Sequence, residues 1–563
     1  MVQQITEFLA TPGIAIYFVS LVVMGGLAAL EIVRGKGGRA FAWVVAIVLV
    51  AISLRFGQDF LHHLYRIDLL AEQVRSGTPS LLVTNPTTGE ALPLFVYYSF
   101  VPYLPAVALQ VAGLPAYVAM RLTMGLALVI LALGLTRLIR LNRHSEDTYA
   151  AFLAAILFLC TNYVHNLWIV RQAYAEIGVY CLIPWVTLTL LQRREIVPLT
   201  ALLFLQMTGH PLVFAQAFGC SLLIALSLTR EAPVKILSRY AWATIIALVL
   251  ATPFWLPQVL WQSLILGPTV LARFADGFLS FGDVVNGFHA QGMGYALPIA
   301  LVLTVVWSRG RLPARAWMLL VAVLALVAIQ TRPLIPIAEH LPLLSTSLFV
   351  TRLMLPAALL AFALLLVAWK PQPTRNTVLA GLTLLSLATL ELALAVRAPP
   401  SLRALGTFSE AEWIRGYRRE HGWGRLEFLP DYAGLPQRCA EAQKVSFQEL
   451  QHGVRAISAY IAIPAAPLGG VDYSVDSKPA PLAACDEALV IGPVTPGADV
   501  QVSDATLVLV LYARLVALAI CVIGWLAWMY AADGQSGRGR GGEASGKDSL
   551  GTSSLGNGRR LAP

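Results

Sequence analysis

The stretch AFAWVVAIVLVAISLRFGQDFLHHLYRIDLL, Ala40 to Leu70, decides the fold class. Up to residue 54 it is largely apolar and, with Arg55 at its end, close to the length that crosses a bilayer. From Asp59 it changes character, with an acid, two histidines, an arginine and a second acid arriving within ten residues. Helical spacing sets Asp59, His62, His63 and Arg66 on one face by i+3 and i+4 steps. Asp68 falls on another face, where solvation is expected. A membrane span that opens directly onto titratable chemistry is the pattern to explain.

The rest of the chain repeats the apolar half of that pattern. Of 563 residues, 57% are hydrophobic and 13% charged, and the mean hydropathy is +0.70. This composition predicts an all-α polytopic membrane protein. Spans are expected near 13–33, 40–55, 116–138, 148–165, 177–192, 196–209, 211–229, 240–260, 293–308, 315–330, 351–369, 376–396 and 505–530, about thirteen in all. The sixth and seventh are short and meet at Gly209-His210-Pro211.

Orientation follows from the short loops. Alternate connections are rich in cations: Arg34, Lys36 and Arg39; Arg137, Arg140 and Arg143; Arg193 and Arg194; Arg230, Lys235 and Arg239; Arg309, Arg311 and Arg315; Lys370 and Arg375. The connections between them hold one cation or none. The rule that cations stay on the cytoplasmic side puts the N-terminus outside and the C-terminus inside, in a bacterial cytoplasmic membrane. The formal charge of +9 is then a topological signal, and no nucleic-acid partner is expected. The first apolar segment lacks a basic n-region and a small-x-small cleavage site, so it is expected to remain a membrane helix. Cys160, Cys181, Cys220 and Cys521 fall in spans, while Cys439 and Cys485 fall on the oxidising side, where a disulfide between them is one option.

Residues 1–397 are read as the transmembrane core, including an outer loop at 56–115 whose "LPLFVYYSFVPYLPAVALQVAGLP" suits an interfacial helix. Residues 398–504 are more polar and suggest a small α+β periplasmic domain, with a helix at "SEAEWIRGYRRE" and β-like runs in "ALVIGPVTPGADVQV". Residues 505–531 form the last span, and the Gly/Ser-rich 532–563 reads as a disordered cytoplasmic tail.

Four places carry candidate chemistry. Asp59 with its basic neighbours could remove a proton from an attacking hydroxyl; the structural alternative is a helix cap. In "NLWIVRQAYAEIGVYCLIPW", Arg171 and Glu176 stand at a span mouth, either as an ion pair or as a phosphate anchor and second acid. In "MTGHPLVFAQ", His210 marks a turn and suits capping as well as binding. In "LPLLSTSLFVTRLMLP", Arg352 either reaches to headgroups or holds a phosphate through its guanidinium fork. Deeper charges are few. Glu391 and Arg514 both lie in the outer halves of their spans, and a charge there implies function or pairing.

At these residues the chain resembles the YfhO-like, or 6-pyruvoyl-tetrahydropterin synthase-related, bacterial membrane proteins of the GT-C glycosyltransferase superfamily. The similar pieces are "DFLHHLYRIDLLAEQVRSGTP" with "ALPLFVYYSFVPYLPA", the Asn166–Trp185 stretch, "ATPFWLPQVL", "LPLLSTSLFVTRLMLP" and "RLEFLPDY", in one order across most of 55–435. The resemblance implies a GT-C-like core and a polyprenyl-phosphate-linked sugar as donor to a lipid or glycan acceptor. It also implies an acid in the first long outer loop as catalytic base or metal-associated group, the metal being Mg or Mn where one is used. Asp59 matches that acid and Glu176 a second one. Arg171 and Arg352 become phosphate ligands, with His62, His63, Arg66 and His210 beside the substrate. A transporter or flippase, a polymerase or ligase of lipid-linked glycans, and a scaffold for an envelope partner are the other readings.

Overall fold

The computed structural model describes residues 12–54, 57, 59–84, 91–92, 94–97, 99–142, 148–192, 196–229, 231–261, 277–286, 289, 291–341, 350–370, 372–397, 442–444, 450, 453–458, 460–463, 471–485 and 488–540. Among them, seven helices are long and apolar enough to cross a membrane: Ala116–Asn142, Tyr174–Leu191, Pro211–Leu228, Pro233–Leu250, Val350–Ala368, Pro373–Leu394 and Ala505–Tyr530. The bent pair Thr148–Leu159 and Asn162–Arg171 makes an eighth. Helices also stand at the other stretches read as spans: Pro12–Val33 has 22 residues and Gly37–Leu54 has 18, while Ile196–Gly209, Ala296–Trp307 and Ala314–Ala328 are shorter. The protein is therefore a membrane-embedded helical bundle, and among the described residues seven or eight helices pass for spans by length and apolarity, against the thirteen expected from hydropathy.

Burial sorts the bundle into centre and rim. Val350–Ala368 has 94% of its apolar window buried, against 22% for Pro233–Leu250 and 28% for Ala505–Tyr530. A helix apolar on every side suits the middle, and alanines at 357, 358, 361 and 363, all fully buried, let its neighbours approach closely. Those neighbours are Ala314–Ala328, Pro211–Leu228, Ala296–Trp307 and Thr148–Leu159.

Three breaks shape one end of this bundle. Thr161 is extended, which turns Asn162–Arg171 by 54° from the preceding helix, and the chain from Asn166 to Arg171 then winds as a π-helix. His210 is also extended, because Pro211 opens the next helix and disfavours a helical residue before it. The third break divides the stretch expected as one span at 240–260 into Pro233–Leu250 and Thr252–Leu260. Pro257 has no N–H, so the carbonyl of Pro253 lacks its helical partner.

Arg514 supplies the missing donor. From the last span it donates Nε to Pro253 O at 2.8 Å and Nη2 to Phe254 O at 3.4 Å and Val96 O at 3.2 Å. Its Nη1 donates to Phe95 O, and the guanidinium lies 5.1 Å from the Phe254 ring centre. The side chain is fully buried. The charge expected to mark function or pairing is thus held by four main-chain oxygens. Arg514→Leu should lower the melting temperature in detergent by at least about 5 °C, since unpaired carbonyls outweigh the relief of burying a charge. Arg514→Lys should recover only part, because one ammonium cannot span four spread acceptors; full recovery would reject this account.

The described residues of 56–115 form the helix Phe60–Ser76, the antiparallel pair Val83–Thr84 and Ala91–Leu92, the short helix Leu94–Tyr97, a 3-10 turn at Val101–Tyr103 and the helix Leu104–Val111. Asp68, expected to be solvated, accepts from Gln110 Nε2 at 2.8 Å. The named elements in the described part of 398–504 are β-strands. One sheet has Val454–Arg455, Asp499–Ser503, Asp472–Val475 and Lys478–Pro479; the other has Gln443–Lys444, Ile461–Ile463, Ala488–Ile491 and Leu482–Cys485. The helix expected at 409–420, "RLEFLPDY" and Cys439 lie outside the described residues. The last helix continues from Ala505 to Arg540, so the predicted tail begins as helix. Extending a formed helix needs no new nucleus, and this carries it into poor helix formers. Residues 541–563 lie outside the described residues.

Candidate functional site

Asp59 occupies the N-cap position of Phe60–Ser76, yet its side chain makes no capping hydrogen bond. The carboxylate turns instead to Arg171, whose Nη2 donates to Asp59 Oδ2 at 3.0 Å. The same Nη2 donates to Glu176 Oε1 at 3.1 Å, and Arg352 Nε reaches that oxygen at 2.9 Å. Four charged side chains from three distant parts of the chain thus form one line: Asp59, Arg171, Glu176, Arg352. Low local dielectric strengthens such a network.

The backbone builds this line. Asp59 N–H donates to Arg171 O at 2.8 Å, and Gly57 N–H donates to Gln172 Oε1 at 2.8 Å. A Cβ on Gly57 would lie 2.6 Å from that Arg171 oxygen, so only glycine permits the approach. Gln172 is fully buried and left-handed, with φ 55°, at the end of the π-helix. Strain of this kind concentrates at functional sites. The hydroxyl of Tyr180 stands 3.1 Å from Arg352 O and 2.8 Å from Gln216 Oε1, fixing the start of the central helix.

Exposure divides the two acids. The Asp59 side chain is 30% accessible and that of Glu176 only 4%. Glu176 Oε2 is buried and has no hydrogen-bond partner among the described residues. Tyr163 borders Arg171, Glu176 and Arg352 electrostatically.

A second group adjoins the first. Tyr103 OH lies 2.8 Å from His63 Nδ1 and accepts from Arg66 Nη1 at 3.3 Å. The Tyr103 ring stacks on Tyr174 at 5.4 Å, two residues before Glu176, and Tyr174 OH donates to Thr123 Oγ1 at 2.8 Å. His63 feels the charges of Arg66, His62, Arg171 and His210. His210 makes no capping bond with its side chain and interacts with Arg352, Glu176, Arg171 and Arg66. Seven of the eight residues read as site candidates therefore meet at one end of the bundle, and His62 is placed there only as the chain neighbour of His63. Sequence reasoning passed over Tyr103, Tyr163 and Gln172. A tyrosine in an aromatic loop and a glutamine after an arginine carry no local signal of their partners.

His63 lies in Phe60–Ser76, which is not among the spans. Burial holds its pKa well below the usual 6.5, and the charge of Arg66 adds to the effect. The folded protein therefore refuses a proton that the unfolded chain accepts below about pH 6.5, so stability is unaffected above that pH and falls beneath it. Melting measured from pH 7.5 to 5.5 should show a loss approaching about 1.4 kcal/mol per pH unit in the acid arm. His210, whose pKa burial lowers to about 4, adds to the same arm, so His63→Gln should reduce the slope without abolishing it, and an unchanged slope would remove His63 as a source.

Among the described residues no three His, Cys, Asp or Glu side chains are grouped as metal ligands. No family model matches the chain, and no curated protein is similar to it at a significant level.

Proposed function

We propose that the protein is a membrane glycosyltransferase. It moves a sugar from a polyprenyl-phosphate donor to a hydroxyl of a lipid or cell-envelope glycan, on the periplasmic face of a bacterial cytoplasmic membrane. The observation that carries this reading is the line from Asp59 through Arg171 and Glu176 to Arg352, with Arg66 and His63 alongside. It joins a partly accessible carboxylate to several guanidiniums in an otherwise apolar bundle. The YfhO-like and GT-C resemblance of these motifs supports the same reading, and cations on alternate loops support an outward site with the N-terminus outside.

Asp59 is the base. Its carboxylate takes the proton of the acceptor hydroxyl as that oxygen bonds to the anomeric carbon and the carbon–oxygen bond to phosphate breaks. Arg171 orients the Asp59 carboxylate through their 3.0 Å contact, and Arg171, Arg352 and Arg66 receive the charge that grows on the departing polyprenyl phosphate. Glu176 acts as a positioning residue, aligning both arginines through one oxygen. Its second oxygen is a buried acceptor suited to a sugar hydroxyl. This donor set does not fit Mg or Mn, since a guanidinium stands between the two carboxylates where a cation would sit. No step here passes through a metal.

The test is an assay of the purified protein with a panel of polyprenyl-phosphate sugars, following release of polyprenyl phosphate. Release that depends on an added acceptor is expected. Movement of labelled donor across vesicles with no release would replace the reading with a flippase.

A further inference from the structure

Arg352 opens the central helix, and about 26 Å along it, at the opposite end of the bundle, lies a cavity of about 310 Å³. Its walls include Trp307, Arg309, Arg311, Trp369, Lys370 and Arg375, and among the described residues no acidic side chain lines it. The two indoles meet edge-on with centroids 5.3 Å apart. Arg375 lies 5.6 Å from the Trp307 ring centre and donates to Trp307 O at 3.4 Å, while Trp369 Nε1 donates to Asn376 Oδ1 at 3.3 Å. Arg309 and Gly310 are both left-handed, at φ 51° and 70°, which turns the chain sharply after the helix Ala296–Trp307. That turn brings Arg311 back to the rim.

We propose that this cavity binds the phosphodiester headgroup of an anionic glycerophospholipid. Four cations, with no acid beside them on the wall among the described residues, suit a negative group. The paired indoles form an apolar, interface-seeking wall of the kind that seats lipid at headgroup depth. The volume admits a headgroup, being at the lower end of small-molecule sites. Charge on a loop needs no cavity to set topology, so the concave tryptophan wall is what separates this place from the other basic loops. Basic pockets between transmembrane helices hold acidic headgroups by this chemistry. The proposal is independent of the sugar-transfer reading, because the two sites share no residue.

The full chain would be placed in nanodiscs of phosphatidylcholine with and without phosphatidylglycerol, and retained lipid counted by native mass spectrometry. Phosphatidylglycerol should be retained in preference. The pair Arg311→Gln and Lys370→Gln, both exposed, should lower that retention about tenfold or more. Arg140→Gln with Lys235→Gln removes the same charge from exposed positions elsewhere and should change it by less than about twofold. Equal losses in the two pairs, or no preference for phosphatidylglycerol, would overturn the proposal. Inorganic phosphate titrated calorimetrically into phosphatidylcholine nanodiscs distinguishes the other source: heat that vanishes only in the Arg311 and Lys370 pair would assign the cavity to soluble phosphate, against a lipid.

Discussion

Asp59→Asn should lower turnover of a polyprenyl-phosphate sugar by about 10²–10⁴-fold, the range for a lost general base. Melting temperature should change little. Asparagine keeps an oxygen that accepts from Arg171 Nη2, and the N-cap position loses no bond, because the Asp59 carboxylate makes none there. Chemistry and folding therefore separate at this residue. The informative comparison is kcat against KM. A base acts only as the new bond forms, so kcat should fall while donor affinity stays near its original value. Turnover within about twofold of the original would remove Asp59 from the reaction.

The second large effect is on stability. Glu176→Leu takes away the carboxylate that Arg171 and Arg352 share at 3.1 and 2.9 Å. Removing one partner of a buried charge network costs about 3–5 kcal/mol, because the remaining charges keep their desolvation cost and lose its compensation. The double variant Glu176→Leu with Arg352→Leu should be more stable than the single one, as an apolar pair can replace a buried ionic pair. Arg171 would still hold Asp59. Denaturation in detergent gives both values, and a double variant no better than the single would show that these side chains do not act as a unit.

The positions of the helices were legible because each apolar run had to form internal hydrogen bonds in lipid. The turn at His210 was also legible, since Pro211 dictates it. The seven full-length spans were harder to separate from shorter apolar helices, because burial inside a bundle and exposure to lipid select the same residues. The eight charged and imidazole side chains were named from spacing and loop position, and the Arg171–Glu176 ion pair was legible at five residues' separation, but the long-range pairings were not. Arg171 meets Asp59 across 112 positions, and Arg352 meets Glu176 across 176. No local period encodes such a meeting. Asp68 was read as solvated because its partner, Gln110, sits on another helix. The π-helix that aims Arg171 has no sequence signature, and the left-handed Gln172 is an ordinary residue in an unusual conformation.

The grip of Arg514 bears on the order in which the chain is assembled. The carbonyls of residues 95, 96, 253 and 254 are synthesised long before the arginine that completes them. Until the helix that carries Arg514 inserts, these earlier segments lack that donor, and the loop that holds Tyr103 lacks its clasp. The helix from Ala505 is thus a fastener made after the parts it joins. It ties the Leu94–Tyr97 turn to the proline-broken helix.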